Sequence, residues 1–362
     1  MTGRSGALTP EGERYPPGPH RLDFLPLEPP AFGSAQPIAD GVRWLRIPLP
    51  MELNHINVWL MDDGDGWLLV DTGMAQDVCR KAWLELEQHA LDGRPLRRIF
   101  VTHDHPDHMG LAPWLAERHG ATVWMSAHAH RSSGEFLRTE PGALEARVRA
   151  FLHQHGVEVR EEEPARGDHR AWFGGWPALG RAPADGDVLE AGGGRWQVIE
   201  TGGHCRGHLC LHDAERSLLV SGDQVLPTIS PNVSVLSSAP DADPLRDFLA
   251  SLERLRACAP PTLVLPSHGR PFRGLHARLA DLEAHHRQQL EGLRTHCAEP
   301  RTAFELLPSM FRLVPRGFHR LLAIGEAVAH LNYLCAEGIL VREVDTTGVA
   351  RFVVSRPGPV AG

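Results

Sequence analysis

The sequence predicts an α/β protein: a four-layer αβ/βα sandwich with a helical insertion and a small C-terminal unit of helices closed by a β-hairpin. Three observations carry that expectation. From residue 41 onward, short apolar runs alternate with helical stretches and turns. Four of those runs end directly in turns that carry His or Asp. The 362 residues are 42% hydrophobic and 23% charged, with no low-complexity tract, enough to bury one large core and one smaller one.

Each element follows in chain order. Residues 1–36 are rich in proline and glycine, as in Tyr15-Pro16-Pro17-Gly18-Pro19, and read as an extended arm packed on the surface or partly disordered. Residues 37–285 form the main domain. Residues 42–47, 56–61 and 66–70 read as consecutive strands, the last two joined by a hairpin at Asp62-Asp63-Gly64-Asp65. A helix over 76–90 places Val78, Ala82, Leu84 and Leu86 at apolar positions. A strand at 97–102, a helix at 110–119 and a strand at 121–125 complete the first half.

Residues 126–185 exceed what such a sandwich needs. They include a helix at 141–155, with Leu144, Val148, Phe151 and Leu152 at helical spacing, and the aromatic stretch around Trp172, Phe173 and Trp176. A long insertion over a rigid scaffold serves as a lid or pocket wall, or its aromatics simply anchor it. Residues 286–362 form the C-terminal unit, entered along a polar helix at 277–292. A helical turn at 302–307, a helix at 324–337 and a hairpin of strands 339–344 and 349–354 follow.

The chemistry is concentrated in His103-Asp104-His105-Pro106-Asp107-His108, which packs four potential metal ligands, His103, His105, Asp107 and His108, at the end of an apolar strand. Imidazole and carboxylate hold zinc or iron, and such a cluster serves no packing purpose. His204, Asp223 and His268 each follow a further apolar run. In open α/β sheets the loops beyond the strands' carboxyl ends converge on one edge, which brings these three to the first cluster. Seven ligands exceed one tetrahedral ion but suit two ions about 3.5–4 Å apart. His103, His105 and His204 would hold one, and Asp107, His108 and His268 the other, with Asp223 bridging.

This ordered set resembles the metallo-β-lactamase fold superfamily. The signature His-x-His-x-Asp-His stands at 103–108, the third-motif histidine at His204, the bridging aspartate at Asp223 and the last histidine at His268. Leu69-Val70-Asp71-Thr72-Gly73 matches a further strand-end motif, and the matches span residues 40–285. The resemblance implies a hydrolase with two divalent metal ions, Zn2+ by ligand type and availability, with Fe or Mn fitting the same donors. It implies that a metal-bridging hydroxide attacks the substrate and that Asp107 and Asp223 are the catalytic carboxylates. Asp71 would orient a ligating histidine. His208 is either such a support or a packing residue.

Departures from the pattern narrow the substrate. No cysteine stands at Asp223 and no tyrosine follows it, which disfavours antibiotic and homoserine-lactone hydrolysis. The first motif lacks the glutamate of oxygen-reducing diiron relatives. Three readings remain. The glyoxalase II-like branch suggests a small-molecule thioester or ester, because a thiol leaving group of pKa about 8.5 needs little acid help. Relatives bearing a winged helix, which the C-terminal unit resembles, suggest an endoribonuclease on single-stranded RNA, with Arg270, Arg273, Arg278 and Arg287 as phosphate contacts. The third is a mononuclear iron sulfur dioxygenase.

Other signals set bounds. A net charge of −8 argues against broad nucleic-acid affinity, and a helix carrying Glu326, His330 and Glu337 is no basic recognition helix. The C-terminal unit could instead cap the site or form a homodimer interface. No apolar span is long enough for a membrane, no secretory signal is evident, and six scattered cysteines make no disulfide framework. The expectation is a cytoplasmic enzyme. Cys205, beside a candidate ligand, reads as a partly buried free thiol, and no substrate-binding residue is identifiable.

Overall fold

The computed structural model describes residues 22–51, 53–159 and 169–355. Two seven-stranded sheets lie face to face. The first runs in sequence order through Ala35–Ala39, Val42–Pro48, His55–Asp63, Gly66–Val70, Leu96–Phe100, Thr122–Trp124 and Leu179–Arg181. Its first four strands form an antiparallel meander, and the later ones pair parallel. The second sheet is ordered Asp23–Phe24, Phe272–Arg273, Leu263–Pro266, Leu218–Gly222, His208–Asp213, Gly194–Thr201 and Val188–Ala191.

Between the sheets, Trp44, Trp59, Val70 and Phe100 meet Trp196, Leu211, Val220 and Leu265. A strand covered on both faces has no solvent side to alternate with, which explains the unbroken apolar run Ile56–Met61 apart from Asn57. Outside the first sheet, helices Asp77–His89 and Ala112–His119 cover Leu45, Ile47, Leu69 and Ile99. Outside the second, helices Pro244–Leu255 and Leu275–His296 cover Cys210, Leu219 and Val264. These are the four layers αβ/βα.

Local expectations shift in places. In helix Asp77–His89 the buried residues are Cys79, Ala82, Trp83 and Leu86, while Val78 and Leu84 are 44% and 40% exposed. Trp83 sets the phase, since its indole reaches inward to donate to the Thr72 carbonyl. The last long helix starts at Phe318, six residues before the expected 324, behind the left-handed Gly317. Of the proline-rich arm, residues 1–21 lie outside the described residues, and Asp23–Phe24 pairs with Phe272–Arg273.

Insertion and C-terminal unit share a core. Val148, Phe151 and Leu152 of helix Pro141–Gln154 pack with Leu306, Leu307, Ile324, Val328 and Phe352 from helices Ala303–Met310 and Phe318–Ala336 and the hairpin Leu340–Val344/Ala350–Val354. Helix Ala303–Met310 starts with a capping box, Thr302 and Glu305 each bonding the other's backbone N–H. Helix Leu275–His296 is continuous through residues 285 and 286 and carries the chain from the second sheet into this unit. No described helix is long and apolar enough to cross a membrane.

Candidate metal centre

The site occupies one edge of the sandwich, where strand ends from both sheets meet. Parallel strands Gly66–Val70 and Leu96–Phe100 deliver Asp71 and the 103–108 turn. Parallel strands Leu218–Gly222 and Leu263–Pro266 deliver Asp223 and His268, and Gly194–Thr201 leads to His204. The left-handed Gly222 makes the close approach possible, because a Cβ there would collide with His208 Nε2.

All seven expected ligands converge, in two groups. His103, His105, His204 and Asp223 form one, and Asp107, His108 and His268 the other, the ligand atoms within each lying within 4.8 Å of one another. In the first group His103 Nε2 is 3.0 Å from His105 Nδ1, and His204 Nε2 is 3.3 and 3.1 Å from those two atoms. Bonds of 2.0–2.1 Å to a tetrahedral ion would set nitrogens about 3.3 Å apart. Asp223 spans both groups: Oδ2 lies 3.5 Å from His204 Nε2, and Oδ1 lies 3.5 Å from both His108 Nε2 and His268 Nε2. Asp107 Oδ2 is 3.3 Å from His268 Nε2.

The residues fit a pair of cations. His108 Nε2, His268 Nε2 and Asp223 Oδ1 are buried, and none makes a hydrogen bond among the described residues. Buried polar atoms are ordinarily satisfied, so three orphans facing one another indicate an absent partner. Burial, reinforced by His108, holds His103 well below the usual imidazole range, and burial with His105 brings His204 down to about 4. Both are neutral donors at pH 7. In the second group burial opposes charge as well, but Asp223, Asp71 and Asp107 outweigh it and lift His108 well above its ordinary value. Burial likewise works against ionised Asp107, and His108 and His268 overcome it, bringing the carboxyl down to about 2. Asp107 and Asp223 make the site a well for positive charge.

Outer contacts aim the rings. His204 Nδ1 donates to the Asn232 carbonyl and His268 Nδ1 to the His55 carbonyl, each at 2.8 Å. His108 Nδ1 donates to Asp71 Oδ2 at 2.8 Å. Thr102 Oγ1 gives its proton to Asp71 and accepts from His103 Nδ1 at 3.0 Å. In all four rings Nδ1 is engaged outward, which leaves Nε2 facing inward as the atom a cation would take. His208 is in neither group. Its Nε2 accepts the Asp223 backbone N–H at 3.2 Å and its Nδ1 donates to Thr201 Oγ1, so it supports the Asp223 turn.

Sequence reading passed over His55, Asn57 and Asn232. Buried Asn57 donates to the Pro266 and Gly269 carbonyls and accepts from Trp44 Nε1, tying the His268 turn to the first sheet. The only signal was a polar residue interrupting an apolar strand. Cys205 Sγ donates to Asp104 Oδ1, and burial, then Asp104, pushes its thiol well above the ordinary range. Arg278 is buried, donating to the Leu226 and Ile229 carbonyls, and Arg270 donates to the Leu25 and Leu27 carbonyls. Arg273 bonds the Pro261 carbonyl, and Arg287 lies 3.6 Å from Glu283.

The insertion touches the site's rim. The Trp172 carbonyl accepts from Ala75 N, and Gly174 N donates to the Gly110 carbonyl just past His108. Phe318 of the C-terminal unit packs on His169 and Trp172, with ring centroids 4.0 and 6.5 Å apart.

Residues 51–268 match the family model described as the metallo-beta-lactamase superfamily, and residues 290–355 match a metallo-beta-lactamase-like C-terminal domain. The crystal structure of a beta-lactamase domain protein from Burkholderia ambifaria superposes with a TM-score of 0.84 at 39% identity, covering 92% of this chain and 97% of that one. The probable metallo-hydrolase YqjP of Bacillus subtilis (strain 168) is 25% identical over 308 residues, 82% of this chain and 93% of its own. The acyl-coenzyme A thioesterase MBLAC2 of Gallus gallus is 26% identical over 249 residues, 66% of this chain and 80% of its own.

Proposed function

The chain belongs to the metallo-β-lactamase superfamily as a metal-dependent hydrolase, and we propose that it is a dinuclear thioesterase acting on a small-molecule acyl thioester. The observation that carries this reading is the Asp223 carboxylate, whose two oxygens face the two donor groups. The likeness to MBLAC2, named for acyl-coenzyme A hydrolysis, supports the thioester among carbonyl substrates.

His103, His105 and His204 would hold one ion and Asp107, His108 and His268 the other, with Asp223 between them; Zn2+ suits these donors, as would Fe or Mn. Two such ions supply Lewis acidity and bring water's pKa toward neutrality. The chain's part is to hold this geometry. The Nδ1 bonds of four imidazoles stop the rings from turning, and Asp107 or Asp223 accepts the proton shed as water adds to the thioester carbon. The C–S bond then breaks, and the thiolate leaves without a strong acid because its pKa is about 8.5. Cys205 is no competing nucleophile, since its thiol stays protonated at neutral pH and points to Asp104. Trp172, whose carbonyl takes the Ala75 N–H, and Phe173, next to the Gly174 that bonds the Gly110 carbonyl, would wall the acyl chain.

The test is a panel of acyl-coenzyme A thioesters, other thioesters, esters, lactones, a persulfide and single-stranded RNA with the metal-loaded chain. Thioesters should turn over with release of free thiol, and Asp223→Ala should abolish that turnover. Cleavage of RNA without thioester hydrolysis, or oxygen uptake on the persulfide, would replace this reading with another.

A further inference from the structure

We propose that Glu326, on helix Phe318–Ala336 of the C-terminal unit, is a positioning residue for the metal centre: it holds Asn232 so that the Asn232 carbonyl fixes the ring of His204. The proposal rests on reading His103, His105 and His204 as a metal-binding group and is independent of the substrate.

The link can be followed atom by atom. Glu326 Oε2 accepts from Asn232 Nδ2 at 3.1 Å. Asn232 Oδ1 accepts from Ser234 Oγ at 2.6 Å, and that hydroxyl also lies 3.1 Å from the Leu322 carbonyl. The amide is therefore held at both ends. One residue further, Val235 N donates to the Gly325 carbonyl at 3.0 Å. A single turn of helix, Leu322 to Glu326, thus grips residues 232–235, and the gripped backbone turns its Asn232 carbonyl to His204 Nδ1 at 2.8 Å.

The approach is close because Gly325 has no side chain: a Cβ there would lie 2.8 Å from the Val235 carbonyl oxygen and 3.0 Å from Ser234 Cβ. The first half of the same loop is anchored separately, by Arg278 on the Leu226 and Ile229 carbonyls. Glu326 is buried, and burial, opposed only by the Asn232 bond, raises its carboxyl to about 7. A buried carboxyl is costly where an apolar residue would pack. Here it supplies the acceptor that orients a ligand's support, and glutamine would keep that acceptor.

The experiment is zinc binding by the full-length chain, titrated against a chromophoric chelator, for the parent, Glu326→Ala, Glu326→Gln, Asn232→Ala and the Ala/Ala double variant. Loss of an outer-shell partner costs about 10–100-fold in metal affinity, so Glu326→Ala and Asn232→Ala should each weaken one of two ions by that factor, and Glu326→Gln should stay within about threefold of the parent. The double variant should be no weaker than either single one, because both break one chain of contacts. Zinc binding by Glu326→Ala equal to the parent's, even with a lowered melting temperature, overturns the proposal. So do additive losses in the double variant, or a Glu326→Gln loss as large as that of Glu326→Ala. A parent that binds no zinc removes the metal centre and this inference with it, whereas a zinc-binding parent without thioesterase activity removes only the substrate reading.

Discussion

His108 Nδ1 donates to Asp71 Oδ2 at 2.8 Å, and Asp71 itself stands in the left-handed region at φ 62°. The same carboxylate takes the Thr102 backbone N–H at 2.8 Å and the Thr102 hydroxyl. Three donors on one carboxylate fix the His108 ring, with its Nε2 turned into the site. An aspartate is also among the few residues with a side chain that accept this backbone conformation.

Asp71→Asn keeps the backbone conformation but turns one acceptor into a donor. Either Thr102 N–H or His108 Nδ1–H then faces an amide N–H, and in the second case His108 moves its proton to Nε2 and cannot ligate. Metal affinity at the Asp107, His108 and His268 group should fall about 10–100-fold with the fold retained. Chelator competition and circular dichroism check both halves, and parent-like affinity would remove Asp71 from its orienting role.

Asn57→Ala should be costly to stability. It removes bonds to the Pro266 and Gly269 carbonyls and to Trp44 Nε1 at a fully buried position. Each buried group left unpaired costs about 1–3 kcal/mol, so a loss of about 3 kcal/mol or more is expected in urea denaturation. A change under 1 kcal/mol would show that water or relaxation replaces the bonds.

Much of this site is legible in the sequence because ligand-type residues at strand ends have no packing reason to be there. His103, His105, Asp107, His108, His204, Asp223 and His268 stand out on that ground, and Asp71 by its place after a fifth strand. The supports are not legible in the same way. His204 and His268 lean on backbone carbonyls, which every residue has, and Asn57 meets the Pro266 carbonyl 209 positions later. The phase of helix Asp77–His89 depends on which face meets the sheet, so Val78 and Leu84 look like core residues until Trp83 is seen pointing inward. The shared core of insertion and C-terminal unit joins Phe151 to Phe352, a pairing that no local pattern announces.

Glu326 also gives the chain a pH signature. Its carboxyl is raised from an ordinary 4.5 to about 7 by burial, so the folded state binds this proton more tightly than the unfolded chain does. The group costs nothing below pH 4.5, and stability is lost as pH rises through 7. Glu326→Gln should match the parent at pH 4 and exceed it at pH 8 by on the order of 3 kcal/mol, with the metal state held the same. Equal stability of the two at both pH values would mean that Glu326 is not desolvated as described.

The two-ion hydrolytic centre is tested most directly by titrating metal-depleted protein with Zn2+ while following acyl-thioester hydrolysis in the same samples. Two ions should bind per chain, with hydrolysis reaching its full rate only as the second is taken up. Saturation at one ion per chain, or full hydrolysis after a single equivalent, would contradict it.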